Sequence, residues 1–417
     1  MPTKKKQNLF SKILAIIGPG LFLIGYNIGT GSVTTMASAG SRWGLSLTWA
    51  VLLSCIFTFI CIWSFSKYTL VTGETILYAV KSKFRYGQQI SIFILCSIIF
   101  AEFMGITRLT VIIVDLIREW MPQTGKTDGG STKFIIAFAL ATILFSILWR
   151  GRYLTLEKIL SLLVILMGIS FLLTVFFVAP PLEAVYKGLL PKIPKAENAS
   201  LIVAGIAGTT LSSAMLFCRS ISLKAKSWNF NKSKNALTDT VVSAVVMFLL
   251  SFAVMICAAG TLYVQGNPVE EAIDMVRTIE PLAGRFASAI FIAGLVGAGV
   301  SSLIPTILIA PWLLADYKNK PVNPESKISR IFVFVGLLIL LLAPFIKAKP
   351  VLLMIITMAL LAIVLPLSTI SITVLLNQKV MGIHKNSVLM NIGCAGAIIF
   401  SIVMSYYGIV GLLEYFK

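Results

Sequence analysis

The chain has 417 residues, of which 58% are hydrophobic and only 12% charged, a balance that excludes a soluble enzyme with an ordinary polar surface. The net charge of +19 would suit a nucleic-acid binder, but the lysines and arginines gather between long apolar runs. The charge therefore follows membrane topology, and no nucleic-acid partner is expected.

Those apolar runs are long enough to cross a hydrocarbon core of roughly 30 Å. They read as helices, because barrel strands would alternate polar and apolar residues. The predicted spans are 13–40, 45–65, 90–114, 134–149, 159–179, 201–223, 241–262, 286–315, 331–346, 351–376 and 388–412, an all-α polytopic membrane protein with eleven transmembrane helices in one domain, 1–417. The first span is too long for a signal peptide and lacks a small-residue cleavage site, so it is expected to be retained. With the N-terminus inside, Lys4, Lys5, Lys6, Lys81, Lys83, Arg85, Arg150, Arg152, Lys224 and Lys226 fall on one side, and Glu183, Glu197, Glu270, Glu271 and Asp274 on the other. By the positive-inside rule this predicts a cytoplasmic N-terminus in a bacterial-type plasma (inner) membrane, with the lipid bilayer as partner. No pattern specifies an oligomeric state.

In the first span the stretch Asn27-Ile28-Gly29-Thr30-Gly31-Ser32 replaces the expected Leu, Ile and Val with glycine and hydroxyl residues. The third span carries Glu102 in "FAEFMG". An acid so deep in a span is either a functional group or a protonated side chain hydrogen-bonded between helices, and the sequence leaves both open. Arg108 and Asp115, seven residues apart on nearly one helical face, are expected to form a structural ion pair. The sixth span repeats the theme of the first with Gly208-Thr209-Thr210-Leu211-Ser212-Ser213, followed by Arg219 on its cytoplasmic half, a candidate for coupling or gating.

Small residues also serve close helix crossings. Two such clusters five spans apart point instead to a pair of broken helices in an inverted five-plus-five repeat, residues 1–179 and 199–377, with 388–412 as an extra helix. Backbone freed by a break cannot face lipid, so it must line a cavity or be buried in protein. Between spans seven and eight, "GNPVEEAIDMVRTIEPLAGR" is predicted to form a short separate amphipathic helix, with Asn267 as cap and Pro268 in the first turn. The six cysteines lie within spans and make no metal or redox motif. No cofactor is expected, nor an enzyme, since no nucleophile and base, phosphate loop or metal-ligand cluster appears in any loop.

The segment "GPGLFLIGYNIGTGSVTTMASAGSRWGLSLTW" resembles the first helix of the NRAMP family of proton-coupled divalent-metal transporters. The likeness continues through "LVTGETILYAV", "AEFMG", "IEPLAGRFASAIFIAGLVGAGVSS" and "LPLSTISITVLLNQKVMG". It implies a LeuT-type fold with alternating access. It also implies a ligand set that this chain lacks. The family's Asp-Pro-Gly-Asn falls on Gly29, Thr30, Gly31 and Ser32, its coordinating methionine on Ser212, its two sixth-helix histidines on Ala214 and Arg219, and a tenth-span glutamine on Val364. The span-three glutamate is matched by Glu102. The only histidine, His384, lies in a loop.

Removing part of a dication's water costs tens of kcal/mol, roughly, before compensation, and neutral hydroxyls are weak replacements for carboxylate and thioether. The sequence therefore predicts a secondary transporter whose site, Gly29, Thr30, Ser32, Thr209, Ser212 and Ser213, is neutral and lined by hydroxyls, with Glu102 and Arg219 as coupling or gating candidates and no high-affinity metal. Its substrate would be a small ion such as a hydrated, magnesium-like dication, or a small solute. The alternative is a sensor or scaffold that has lost transport.

Overall fold

The computed structural model describes residues 23–121, 129–149, 182–194, 199–269, 272–346 and 350–415, with isolated positions between residues 162 and 196. Among the described residues regular structure is helical throughout. Nine helices are long and apolar enough to cross a membrane, and the chain is a multi-pass integral membrane protein. They coincide with nine of the eleven predicted spans. Of the other two, the first is described only from residue 23 onward, and the fifth, 159–179, lies outside the described residues apart from isolated positions.

In chain order the helices are α1 Thr30–Trp43, α2 Thr48–Thr72, α3 Ile76–Lys83, α4 Gly87–Trp120, α5 Gly129–Trp149, α6 Leu182–Gly188, α7 Ala199–Thr210, α8 Ser213–Ala225, α9 Ser233–Ala258, α10 Ala272–Tyr317, α11 Lys327–Leu342, α12 Pro350–Asn377 and α13 Val388–Tyr415. Their ends follow local chemistry. α2 stops where Gly73 takes φ +70° and donates its N–H to Thr69 O, a left-handed closure that a side chain would strain. α11 starts where the Ser326 hydroxyl accepts the N–H of Ser329, satisfying one orphan donor of its first turn.

Burial separates centre from periphery. In the sixth span, α7 with α8, every residue of the most apolar window is buried, against a third of that window in α13. Surrounding helices therefore enclose the sixth span, and α13 lies at the rim. α10 packs along α4, α12, α13 and α7 pack against one another, and α9 covers α1 and α2.

One predicted element is corrected. The stretch 266–285 is not a separate short helix: α10 runs without interruption from Ala272 to Tyr317. The start lies a few residues beyond the expected cap at Asn267, but the expected stop does not occur. Extending a helix already nucleated needs only one further residue fixed for each bond gained.

Candidate functional site

Both predicted helix breaks are present, and each has its own arrangement for the backbone groups it frees. In the first span, residues 23–27 are helical and Ile28 N–H still reaches Ile24 O at 2.7 Å. Gly29 is then extended (φ −96°, ψ −170°) before α1 begins at Thr30. The carbonyls of Gly25 and Tyr26 lose their helical donors. Hydroxyls of α10 serve them instead: Ser301 Oγ lies 3.2 Å from Gly25 O, and Ser302 Oγ lies 3.0 Å from Gly25 O and 3.2 Å from Tyr26 O. The approach is so close that a Cβ on Gly29 would fall 1.7 Å from Ser302 Oγ, which is why glycine occupies that corner.

The sixth span breaks at Ser212 (φ −78°, ψ 126°), between α7 and α8. The carbonyl of Thr210 is capped twice, by Asn27 Nδ2 at 2.7 Å and by Thr58 Oγ1 at 3.0 Å. Asn27 therefore ties one break directly to the other. Left unpaired against lipid, each of these carbonyls would cost several kcal/mol, so such caps are what allow irregular backbone inside a bundle.

The two breaks open onto one small pocket of about 20 Å³, room for about one water molecule. Tyr26, Asn27, Gly29 and Gly31 line it from the first span, and Gly208, Thr209 and Ser212 from the sixth. α4 adds Glu102, Arg108 and Leu109, α10 adds Ser302 and Thr306, and α12 adds Met358 and Leu361. Most hydroxyl hydrogens here are already engaged. Thr209 donates to Ile206 O at 2.9 Å, Ser302 to the first-span carbonyls, and Tyr26 to Glu102 Oε1 at 2.5 Å. A hydroxyl has one hydrogen and two lone pairs, so these groups present acceptors to the cavity. Ser212 Oγ is buried and has no hydrogen-bond partner among the described residues.

Of the residues expected to form a site, Gly29, Thr209, Ser212 and Glu102 line this pocket. Thr30 is the first residue of α1. Ser32 does not line the pocket and sits 3.4 Å from Ser251 Oγ of α9. Ser213 likewise turns away, accepting a hydrogen bond from Ser368 of α12 at 3.2 Å. Arg219 does not line the pocket. Fully buried, it pairs with Asp239, donates to Ser66 Oγ at 2.8 Å and to Ala236 O at 3.2 Å, and so joins α8, α9 and α2.

Two expectations fail at Arg108. The pocket wall is not made of uncharged groups alone, because it holds both the Glu102 carboxyl and the Arg108 guanidinium. Nor is Arg108 the partner of Asp115, which bonds Lys133 of α5 at 2.7 Å. Six residues after Glu102, Arg108 leaves α4 about 120° around the helix from it. Gly105 stands midway and has no side chain. A Cβ there would meet Arg108 Nε and Nη2, each at 3.5 Å. Helical side chains lean toward the helix N-terminus, and Arg108 does so across this gap, where its charge acts on Glu102 and Tyr26. The sequence signal was Glu102, Gly105 and Arg108 at successive three-residue steps.

Among the described residues no three His, Cys, Asp or Glu side chains gather as a metal-ion cage.

The sequence model of the natural resistance-associated macrophage protein-like family matches residues 20–411. Over 398 residues the chain is 24% identical to natural resistance-associated macrophage protein 2 homolog of Dictyostelium discoideum, covering 92% of this chain but 61% of that protein, less than two thirds of its length. It is also 24% identical, over 302 residues, to the divalent metal cation transporter MntH of Pectobacterium carotovorum subsp. carotovorum, covering 70% of this chain and 69% of that one. Among solved structures, a mutant of the Eremococcus coleocola manganese transporter superposes with a TM-score of 0.76 at 14% identity, over 100% of this chain and 90% of that chain. Mhp1, a nucleobase-cation-symport-1 family transporter, superposes with a TM-score of 0.56 at 16% identity, over 95% of this chain and 93% of that chain. At such identities the likeness is one of fold, and the fold is the LeuT-type five-plus-five arrangement with broken helices 1 and 6.

Proposed function

This chain belongs to the natural resistance-associated macrophage protein-like family, and from that premise we propose that it is a secondary membrane transporter of divalent cations, working by alternating access around the pocket between its two broken helices. The observation that carries this reading is the convergence of both breaks, at Gly29 and Ser212, on one buried cavity that contains the carboxylate Glu102. The curated relatives named as divalent metal cation transporters support the class of cargo.

The chemistry of the wall supports a hard ion that keeps much of its water, magnesium-like in character. Acceptor lone pairs of Thr209, Ser302 and Tyr26 suit the hydrogens of bound water. Neither break offers a soft sulfur to select a transition metal, Ser212 standing on the sixth span, and the thioether residue on the wall, Met358, belongs to α12. The described conformation leaves space for about one water, so a hydrated ion enters only when α1 and α8 part from α4 and α10 on one side. An inside-negative potential supplies a dication with about 4.6 kcal/mol per 100 mV, twice the single-charge value, which drives uptake without a proton. The reading includes a bacterial-type plasma (inner) membrane and a cytoplasmic N-terminus, supported by the lysine and arginine distribution.

Arg108 favours a second reading, a small solute that brings a carboxylate. Purified protein in liposomes separates the two. Under an imposed potential, the first predicts magnesium accumulation recorded by an entrapped indicator, unchanged when the proton gradient is collapsed. Flux of small organic acids without magnesium flux would support the second. Flux of neither would leave a sensor or scaffold.

A further inference from the structure

Among the described residues two arginines are buried, and each faces one carboxylate. Arg219 has Asp239, in a network that does not line the cavity. Arg108, 3% exposed, shares the cavity wall with Glu102, 2% exposed. We infer that Arg108 is a specificity-determining residue, a built-in counter-cation to Glu102 that keeps the vacant pocket near electrical neutrality and sets how weakly a dication binds. The inference rests on the transport reading and names the residue that tunes cation affinity at the same site.

The reasoning is electrostatic. A carboxylate sealed into a cavity that admits about one water is costly unless a positive group answers it. Tyr26 supplies a hydrogen bond to Glu102 but no charge. Arg108 supplies the charge, and the bare Gly105 lets its guanidinium fold across the helix face to do so. Any metal cation arriving beside Glu102 must therefore enter against a fixed positive charge that a cation site would otherwise omit. Cargo is admitted through the oxygen wall with low affinity, and the closed, vacant carrier remains stable because no lone charge is buried in it.

The test is magnesium ion binding to the full-length purified chain, measured by calorimetry on the wild type, Arg108→Gln, Arg108→Lys and the double variant Arg108→Gln with Glu102→Gln. Arg108→Gln is expected to bind magnesium about 100-fold or more tightly than the wild type, since a like charge a few ångström away is removed in a low-dielectric site. Arg108→Lys keeps the charge and should retain wild-type affinity, and the double variant should lose the gain. A structural role alone would not raise affinity. Unchanged or weaker binding by a folded Arg108→Gln protein overturns the inference.

Should Arg108→Gln fail to fold, Glu102→Gln alone gives the converse test. It should abolish magnesium binding and create binding of formate, a small monoanion, and absence of formate binding overturns the inference. If wild-type liposomes carry magnesium while Arg108→Gln shows no gain, the inference fails and the transport reading stands. If Arg108→Gln gains affinity while wild-type liposomes carry no magnesium, the transport reading fails and the role of Arg108 stands.

Discussion

Replacing Gly29 by alanine tests how the first helix break is seated. The added Cβ would lie 1.7 Å from Ser302 Oγ, 2.5 Å from Ser302 Cβ and 3.3 Å from Ala298 O. Nonbonded carbon and oxygen settle at about 3.5 Å, so the contact with Oγ is too short by 3.5 − 1.7, about 1.8 Å. Rotating Ser302 relieves only part of this and withdraws the hydroxyl from Gly25 O and Tyr26 O. Overpacking costs about 1–3 kcal/mol and uncapping a buried carbonyl about 1–3 kcal/mol, together about 2–6 kcal/mol. Ser302→Gly alone gives up the hydroxyl and places a glycine within α10, about 2–4 kcal/mol. In the double variant the clash is gone, so its cost should stay near that of Ser302→Gly, a favourable coupling of about 2 kcal/mol or more. Thermal melting of the four purified proteins in one detergent reads this directly. Gly29→Ala should melt well below the wild type, and adding Ser302→Gly should not lower it further. A Gly29→Ala protein that melts with the wild type, or a double variant that melts below both single ones, would refute the geometry.

Three further outcomes are expected. Arg219→Ala takes the guanidinium away from the buried Asp239 and should destabilise the fold by about 3–5 kcal/mol, with part of the loss recovered by adding Asp239→Asn, again read by melting. Ser212→Ala removes a hydroxyl that has no partner among the described residues, so stability should change by less than about 0.5 kcal/mol while the KM for transport rises several-fold; Ser32→Ala, outside the pocket, should leave KM unchanged. Manganese should bind the wild type no more tightly than millimolar, and micromolar binding by calorimetry would contradict the ligand chemistry assigned to this site.

Both breaks are legible in the sequence because glycine and hydroxyl residues inside an apolar span serve few purposes other than close packing or irregular backbone, and the clusters recur at matching places. Glu102 is legible because an acid inside a span is conspicuous on any hydropathy scale. Partners from distant helices are not. Nothing near Ser301 or Ser302 announces that their hydroxyls answer carbonyls more than 270 residues earlier, and Asn27 gives no local sign of reaching Thr210. Ser32 and Ser213 share the clusters of the site residues, which is all that the sequence offers for placing them there. Helical phase turns them instead toward Ser251 and Ser368. At Arg108 the i to i+7 spacing favours Asp115, whereas the side chain's lean and the bare Gly105 direct it back to Glu102.

The same geometry bears on any attempt to restore a carboxylate at position 29. Gly29→Asp meets the Ser302 side chain before it can meet a metal, so it should be tolerated only together with Ser302→Gly.

The most direct test of the central claim, that cargo occupies the cavity where the two broken helices meet, is the rate at which Ser212→Cys reacts with a small water-soluble thiol reagent in liposomes, with the unsubstituted protein as background. The cysteine should be modified, and saturating magnesium should slow the reaction severalfold. A cysteine that stays unreactive from both sides, or one whose reaction is indifferent to magnesium, would contradict the account.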